Sequence, residues 1–183
     1  MTDWTISEPP DNGALMLLDF QADFLDDNGR MPVCRSHVEP AIAAAAAAIR
    51  IFRERGRPII AIRNEFRRRD LVMNLLRRYA AVAGSPGARW DPRLPLEGAT
   101  SFAKWAASAF CNPELEPWLK EHGIGTLVIC GLMARACVTA TASEAIQRGF
   151  RVFLFGPAIA CVSERTRARA LARLERRGAA LIS

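Results

Sequence analysis

The chain has 183 residues, 50% of them hydrophobic and 24% charged. That length suits one globular domain over residues 1–183, large enough to bury a core without a metal or disulfide staple. The apolar content excludes a disordered chain, and no apolar run approaches the roughly 18–20 uncharged residues of a membrane span. The start, Met1-Thr2-Asp3-Trp4, shows no basic-then-apolar secretory pattern. A cytoplasmic protein with no membrane partner is the expectation.

Five cysteines, at 34, 111, 130, 137 and 161, form no C-x-x-C pair and read as reduced thiols. Only His37 and His122 could join them as nitrogen ligands, and they lie far apart, so no metal and no cofactor are expected. The formal charge of +6 invites a nucleic-acid reading. It comes almost wholly from arginine, since Lys104 and Lys120 are the only lysines. Arg165, Arg169 and Arg173 recur every four residues as one solvated helix stripe. No nucleic-acid partner is expected.

In chain order, Ala14–Leu18 is a continuous apolar run, as in a strand covered on both faces. A helix is expected from Pro40, in its first turn, to Arg55, with Gly56 ending it. Pro58–Ile62 is the next strand, Asp70–Ala81 a helix, and Gly84–Gly98 a long loop of the kind used as a lid or binding loop. Asn112 is placed to cap a helix reaching His122, with Pro113 at its first position and Gly123 after it. Thr126–Cys130 and Arg151–Phe155 read as strands around a helix Arg135–Arg148 that Gly149 closes. Ser163 caps a helix to Arg177, and Ala179–Ile182 is a last short strand. This alternation predicts an α/β fold, a three-layer α/β/α sandwich with a mainly parallel sheet. Its site belongs at the carboxyl ends of the strands.

Three residues there can carry chemistry. Asp19 directly follows the first strand, where partial desolvation raises a carboxylate's pKa and makes it a proton acceptor; it could equally be a turn carboxylate binding backbone N–H groups. Cys137 lies where a strand hands over to a helix, whose free amides favour a thiolate and can hold an oxyanion; the alternative is an inert buried cysteine, which Cys130 resembles more. Lys104, in Phe102-Ala103-Lys104-Trp105, can hold both anions, or can lay its stem over Trp105 with the ammonium in water. His122, in a last helical turn, and His37, ahead of a helix, offer no convincing partner for the thiol. Any base for it is therefore a carboxylate.

At these segments the sequence resembles the isochorismatase-like cysteine hydrolase superfamily, which includes nicotinamidases and N-carbamoylsarcosine amidases. The resemblance rests on Leu17-Leu18-Asp19-Phe20-Gln21-Ala22-Asp23-Phe24, on Lys104 with Ser108-Ala109-Phe110, and on Gly131 followed by Cys137-Val138-Thr139-Ala140-Thr141-Ala142. It implies an Asp19-Lys104-Cys137 triad, an often cis Leu132–Met133 peptide, and an oxyanion hole from the N–H groups of Met133 and Cys137. A small amide or ureido substrate, cleaved through a thioester, is the implied chemistry. Vinyl ether hydrolysis and a non-catalytic binding role are the alternatives. Gln21, Phe24, Arg63, Glu65 and Trp105 are candidates for substrate binding, and Arg89, Trp90 and Arg93 of the long loop for shaping the pocket. A homo-oligomer, dimer or tetramer, is also implied. The chain departs from the family pattern at Ala134, often Thr, and at Pro157, often Asp. Arg63-Asn64-Glu65 stands where nicotinamidases carry an Asp-x-His metal pair.

Overall fold

The structure, a computed structural model, describes residues 6–183, so Met1–Trp4 lie outside the described residues. Six strands form one parallel sheet in the order β3-β2-β1-β4-β5-β6. They are β1 (Gly13–Leu18), β2 (Ile59–Asn64), β3 (Thr100–Lys104), β4 (Thr126–Gly131), β5 (Arg151–Ile159) and β6 (Ala180–Ile182). Every residue of β1 and β4 is buried, because each of these strands is hydrogen-bonded on both sides and covered on both faces.

The helices are α1 (Ala22–Leu25), α2 (Arg35–Glu54), α3 (Leu71–Leu76), α4 (Leu115–Glu121), α5 (Thr139–Gln147) and α6 (Glu164–Glu175). Leu15 and Leu17 of β1 meet Ala45, Ile49 and Phe52 of α2 on one face. Met16 and Leu18, pointing the opposite way, meet Leu119 of α4, Ala142 of α5 and Leu171 of α6 on the other. Three layers result. Among the described residues no helix is long and apolar enough to cross a membrane.

The structure corrects several sequence boundaries. Helix α2 begins at Arg35, so Pro40 lies inside it and His37 is helical. Tertiary contacts hold that extra turn: Val38 is buried, and His37 reaches the Cys161 carbonyl at 3.1 Å and Glu164 at 3.1 Å. The helix expected over Asp70–Ala81 stops at Leu76. Beyond it Arg78, Tyr79 and Ala81 have positive φ, and the Ala81 N–H donates to the Asp23 carboxylate at 2.8 Å. That long-range bond draws the chain off the helical path. Five apolar side chains of α3 are left exposed. Regular α4 starts at Leu115, because Asn112 accepts from the Glu114 N–H at 2.9 Å in a turn instead of capping the helix directly.

The segment expected as one helix from Arg135 is a π turn, Ala134–Val138, followed by α5. Strand β5 runs on to Ile159, with a break in its register to β4 between Ile129 and Gly131. Strand β3 and helix α1 have no counterpart in the sequence reading. The arginine stripe at 165, 169 and 173 is exposed, as expected.

Candidate active site

At the carboxyl end of β1 the chain turns sharply. Asp19 has φ of 61°, the left-handed region that a non-glycine side chain adopts under strain, and its N–H is held by the Ile62 carbonyl at 2.9 Å. Close packing fixes the neighbouring strand end as well. Gly131 (φ 148°) approaches so near that an added Cβ would fall 2.5 Å from Leu18 Cβ and 2.6 Å from the Leu18 carbonyl oxygen. Only glycine lets β4 finish beside Asp19. The chain then passes a cis Leu132–Met133 peptide into the π turn that carries Cys137.

These elements bring Asp19, Lys104 and Cys137 together. Lys104, at the end of β3, is fully buried, and its ammonium lies 3.0 Å from Asp19 Oδ2 and 3.1 Å from Cys137 Sγ. It also donates to Asn64 Oδ1 at 2.7 Å and faces the Ala106 carbonyl at 3.3 Å. The ammonium is therefore not in water above Trp105. Asp19 is 1% exposed, and besides the Lys104 ammonium its carboxylate faces the Cys137 thiol and the Asn64 backbone N–H. The carboxylate is thus buried between the ammonium and the thiol, the placement a proton acceptor for that thiol requires.

Burial raises the Asp19 pKa above its ordinary value, a rise that the Lys104 charge opposes. Burial alone would lower the Lys104 pKa, but the Asp19 charge, then Cys137, more than offset it and hold the ammonium charged. The Cys137 thiol is pushed up to about 11, first by burial and then by the Asp19 charge beside it. This corrects the expectation of a resting thiolate. With its pKa raised by burial and by a neighbouring anion, the sulfur keeps its proton near neutral pH. Cys130, wholly buried in β4, has its thiol raised by burial alone and is inert.

Around the expected oxyanion position, the Ala134 N–H is bound to the Ala160 carbonyl at 2.9 Å, whereas among the described residues no backbone carbonyl takes the Met133 N–H. Thr139 Oγ1 donates to the Ala134 carbonyl at 2.6 Å, so a hydroxyl stands one turn beyond the position where the family often has threonine. Pro157 is exposed on β5.

The substrate candidates divide. Gln21 is fully buried; its carbonyl accepts from the Asn64 N–H at 2.8 Å, and its amide donates to the carbonyls of Asn64 at 2.9 Å and Ala88 at 2.7 Å. With all of its groups engaged, it positions the end of β2 rather than facing a ligand. Phe24 is 6% exposed and packs in the core beneath α2. Arg63 and Glu65 are partly exposed and paired through Nε and Oε1 at 2.7 Å. Trp105 is half-exposed beneath the Arg67 guanidinium, 5.4 Å from its ring centroid. The sequence reading missed Asn64, whose Oδ1 holds Lys104 and whose Nδ2 lies 3.9 Å from Cys137 Sγ. Its period-two relation to the buried Ile60 and Ile62 was the available signal, since that spacing turns it to the same face.

The long loop is tied down. It carries a 3-10 turn at Pro86–Ala88, and the Asp91 N–H bonds the Phe20 carbonyl at 2.9 Å. Gly87 lies so close to the Asp23 carboxylate that an added Cβ would overlap it. Arg93 is engaged with Asp91 and Glu39 rather than turned toward the triad.

A profile described as "Isochorismatase domain" matches residues 13–183. The uncharacterized isochorismatase family protein YddQ of Bacillus subtilis is 28% identical over 137 residues, covering 75% of this chain and 71% of that protein. An N-carbamoylsarcosine amidase of Arthrobacter sp is 33% identical over 109 residues, 54% of this chain and only 41% of the amidase. Among solved structures, the pyrazinamidase of Pyrococcus horikoshii in complex with zinc superposes with a TM-score of 0.84 at 29% identity, covering 94% of this chain and 99% of that one. The end of β2 in the present chain does not suit a cation such as zinc. Arg63 supplies a guanidinium there, and the carboxylate of Glu65 is already paired with it. Among the described residues no group of three His, Cys, Asp or Glu could hold a metal ion.

Proposed function

The chain belongs to the isochorismatase family, whose members are hydrolases that include amidases, and from that premise we propose that it cleaves a small amide or ureido bond through a thioester on Cys137. The observation that carries this reading is the Lys104 ammonium, 3.0 Å from Asp19 and 3.1 Å from Cys137. A buried cation between a carboxylate and a thiol stabilises one negative charge on either partner. It thereby eases the transfer of a proton from sulfur to oxygen.

In the proposed cycle the Asp19 carboxylate takes the thiol proton as sulfur attacks the carbonyl carbon. The N–H groups of Met133 and Cys137 receive the oxyanion. Collapse breaks the carbon–nitrogen bond, and protonated Asp19 gives its proton to the leaving amine. Water then attacks the thioester while Asp19 takes a proton from it. The acid departs, and that proton returns to sulfur. The net change is one amide and one water to one acid and one amine.

Mass spectrometry of the whole protein after brief incubation with small primary amides and ureides tests this. An acyl adduct on Cys137, absent from Cys137→Ala, is the expected result. Hydrolysis by Cys137→Ala at the wild-type rate would overturn the nucleophile assignment.

A further inference from the structure

Beyond that reading, we propose that the cleft between helix α6 and the turn that carries Cys137 binds a small polyphosphate, a chain of two or three linked phosphates, through Arg135, Arg169, Arg173 and Arg176. The cleft has a volume of about 340 Å³ and is also lined by Thr139 and Thr166. That is room for a small anion and too little for a folded partner. None of Asp19, Lys104 and Cys137 lines it, so the seat stands apart from the triad.

Sequence spacing shows Arg165, Arg169 and Arg173 as one solvated stripe, but the fold gathers a different set. Arg165 lies outside the cleft, and Arg135 joins it from the π turn, two residues before Cys137. Along α6 and its C-cap, the lining residues Thr166, Arg169, Arg173 and Arg176 follow at spacings of three, four and three, so they share one face. Glu164 and Glu175, the acidic residues of that helix, fall on the opposite face. No carboxylate lines the cleft, and among the described residues none pairs with any of its four guanidiniums. Arg167 of the same helix is the contrast: Glu164 closes it at 3.0 Å and the Ile159 carbonyl at 2.7 Å.

Four like charges around one cleft repel one another, and a bound anion offsets them. The Thr166 hydroxyl is already paired with that of Ser163 at 2.9 Å, and the Thr139 hydroxyl with the Ala134 carbonyl at 2.6 Å. Recognition therefore falls to the guanidiniums. Their N–H groups bind phosphate oxygens in pairs, and each phosphate brings more than one negative charge. Arg169 and Arg176 stand seven residues apart, about 10 Å along the helix axis. Linked phosphates match that row better than a single phosphate does.

Calorimetry at about 0.15 M salt tests the proposal. Tripolyphosphate should bind one to one, about tenfold or more tighter than orthophosphate or citrate. Arg135→Met and Arg173→Met should each weaken it by about 5- to 20-fold. Arg165→Met removes the same charge from the same helix outside the cleft, and should change binding by less than about threefold. Cys137→Ala should bind as the wild type does. ATP identifies the source: tighter binding than tripolyphosphate assigns the seat to a nucleotide, equal or weaker binding to an inorganic chain, and either upholds it. Equal weakening by Arg165→Met and Arg173→Met, or tighter binding of a single-stranded oligonucleotide, would show a diffuse basic surface and overturn the seat. Citrate binding as tightly as tripolyphosphate would overturn the ligand class. Loss of binding in Cys137→Ala, or no binding of tripolyphosphate to the wild type, would overturn the seat as well.

Discussion

At the amino end of the sheet the loops close their polar groups on one another: the Asn12 carbonyl receives the N–H groups of Gly125 at 3.0 Å and Thr126 at 3.1 Å, and the Asn12 side chain accepts from the Thr126 hydroxyl at 3.1 Å. At the carboxyl end the same strands finish with Asp19 at a positive φ, its carboxylate buried against the Lys104 ammonium, and with a thiol whose pKa burial raises. One end ties its loops together with ordinary hydrogen bonds, and the other sets a carboxylate, an ammonium and a thiol against one another in the core. The difference teaches that stability and chemistry are divided along the strands of this sheet, with strain confined to the end that reacts.

The largest expected effect is at Asp19. Asp19→Asn removes the proton acceptor and should lower hydrolysis by about 10²–10⁴-fold. The same change removes the negative charge that helps raise the Cys137 pKa, so alkylation of Cys137 by iodoacetamide at pH 8 should become faster. Loss of one activity with gain of the other is the signature of a base beside a thiol. Slower alkylation together with slower hydrolysis would mark mere disruption. The pH profile carries the same sign. Hydrolysis needs ionised Asp19, so kcat/KM should hold above the raised Asp19 pKa and fall as pH drops through it. That acid limb should lie above the ordinary carboxylate range and vanish in the variant. A limb at about 3.9, the unperturbed value, would remove Asp19 from the role.

Much of this frame is legible in sequence because β1 and β4, buried on both faces, have to be continuous apolar runs. Asp19 then stands directly after the first run, and Cys137 where the chain leaves the second run for the next helix. Strand β3 is harder to see. It is an edge strand with only Phe102 and Lys104 buried, so five residues carry too little pattern to stand out. Asn64 reads as an ordinary polar strand end until Lys104 is brought across from β3. The proton on Cys137 is illegible for another reason. It depends on burial and on a carboxylate 118 positions away in the chain, while the sequence shows only the neighbouring turn.

Gly131 sharpens the comparison next, because the reacting end depends on an approach that no side chain fits. In Gly131→Ala the new Cβ would fall 2.5 Å from Leu18 Cβ, so β4 must move away from β1 or Asp19 must shift. Overpacking at a buried site commonly costs about 1–3 kcal/mol, and the positive φ adds to it. Urea unfolding should show a loss of about 2–4 kcal/mol, with hydrolysis reduced by more than the unfolded fraction explains. A loss under about 1 kcal/mol would mean that the strand ends are free to part, and the close approach would not be what holds Asp19 in place.

Thr126, at the opposite end of β4, should respond least. Its hydroxyl is buried against Asn12, but the Asn12 side chain lies at the surface and can turn to water when its partner is lost. Thr126→Val therefore removes a donor without stranding an acceptor in the core. It exchanges the hydroxyl for a methyl of similar size in a strand where valine is favoured. Both backbone N–H bonds to the Asn12 carbonyl remain. Urea unfolding should place the variant within about 1 kcal/mol of wild type, and kcat/KM should not move, since no group near Cys137 contacts Thr126. A fall of 2 kcal/mol or more would show this end to be as finely balanced as the other. A change in kcat/KM would show that the length of β4 transmits what happens at its start to the turn that carries the nucleophile.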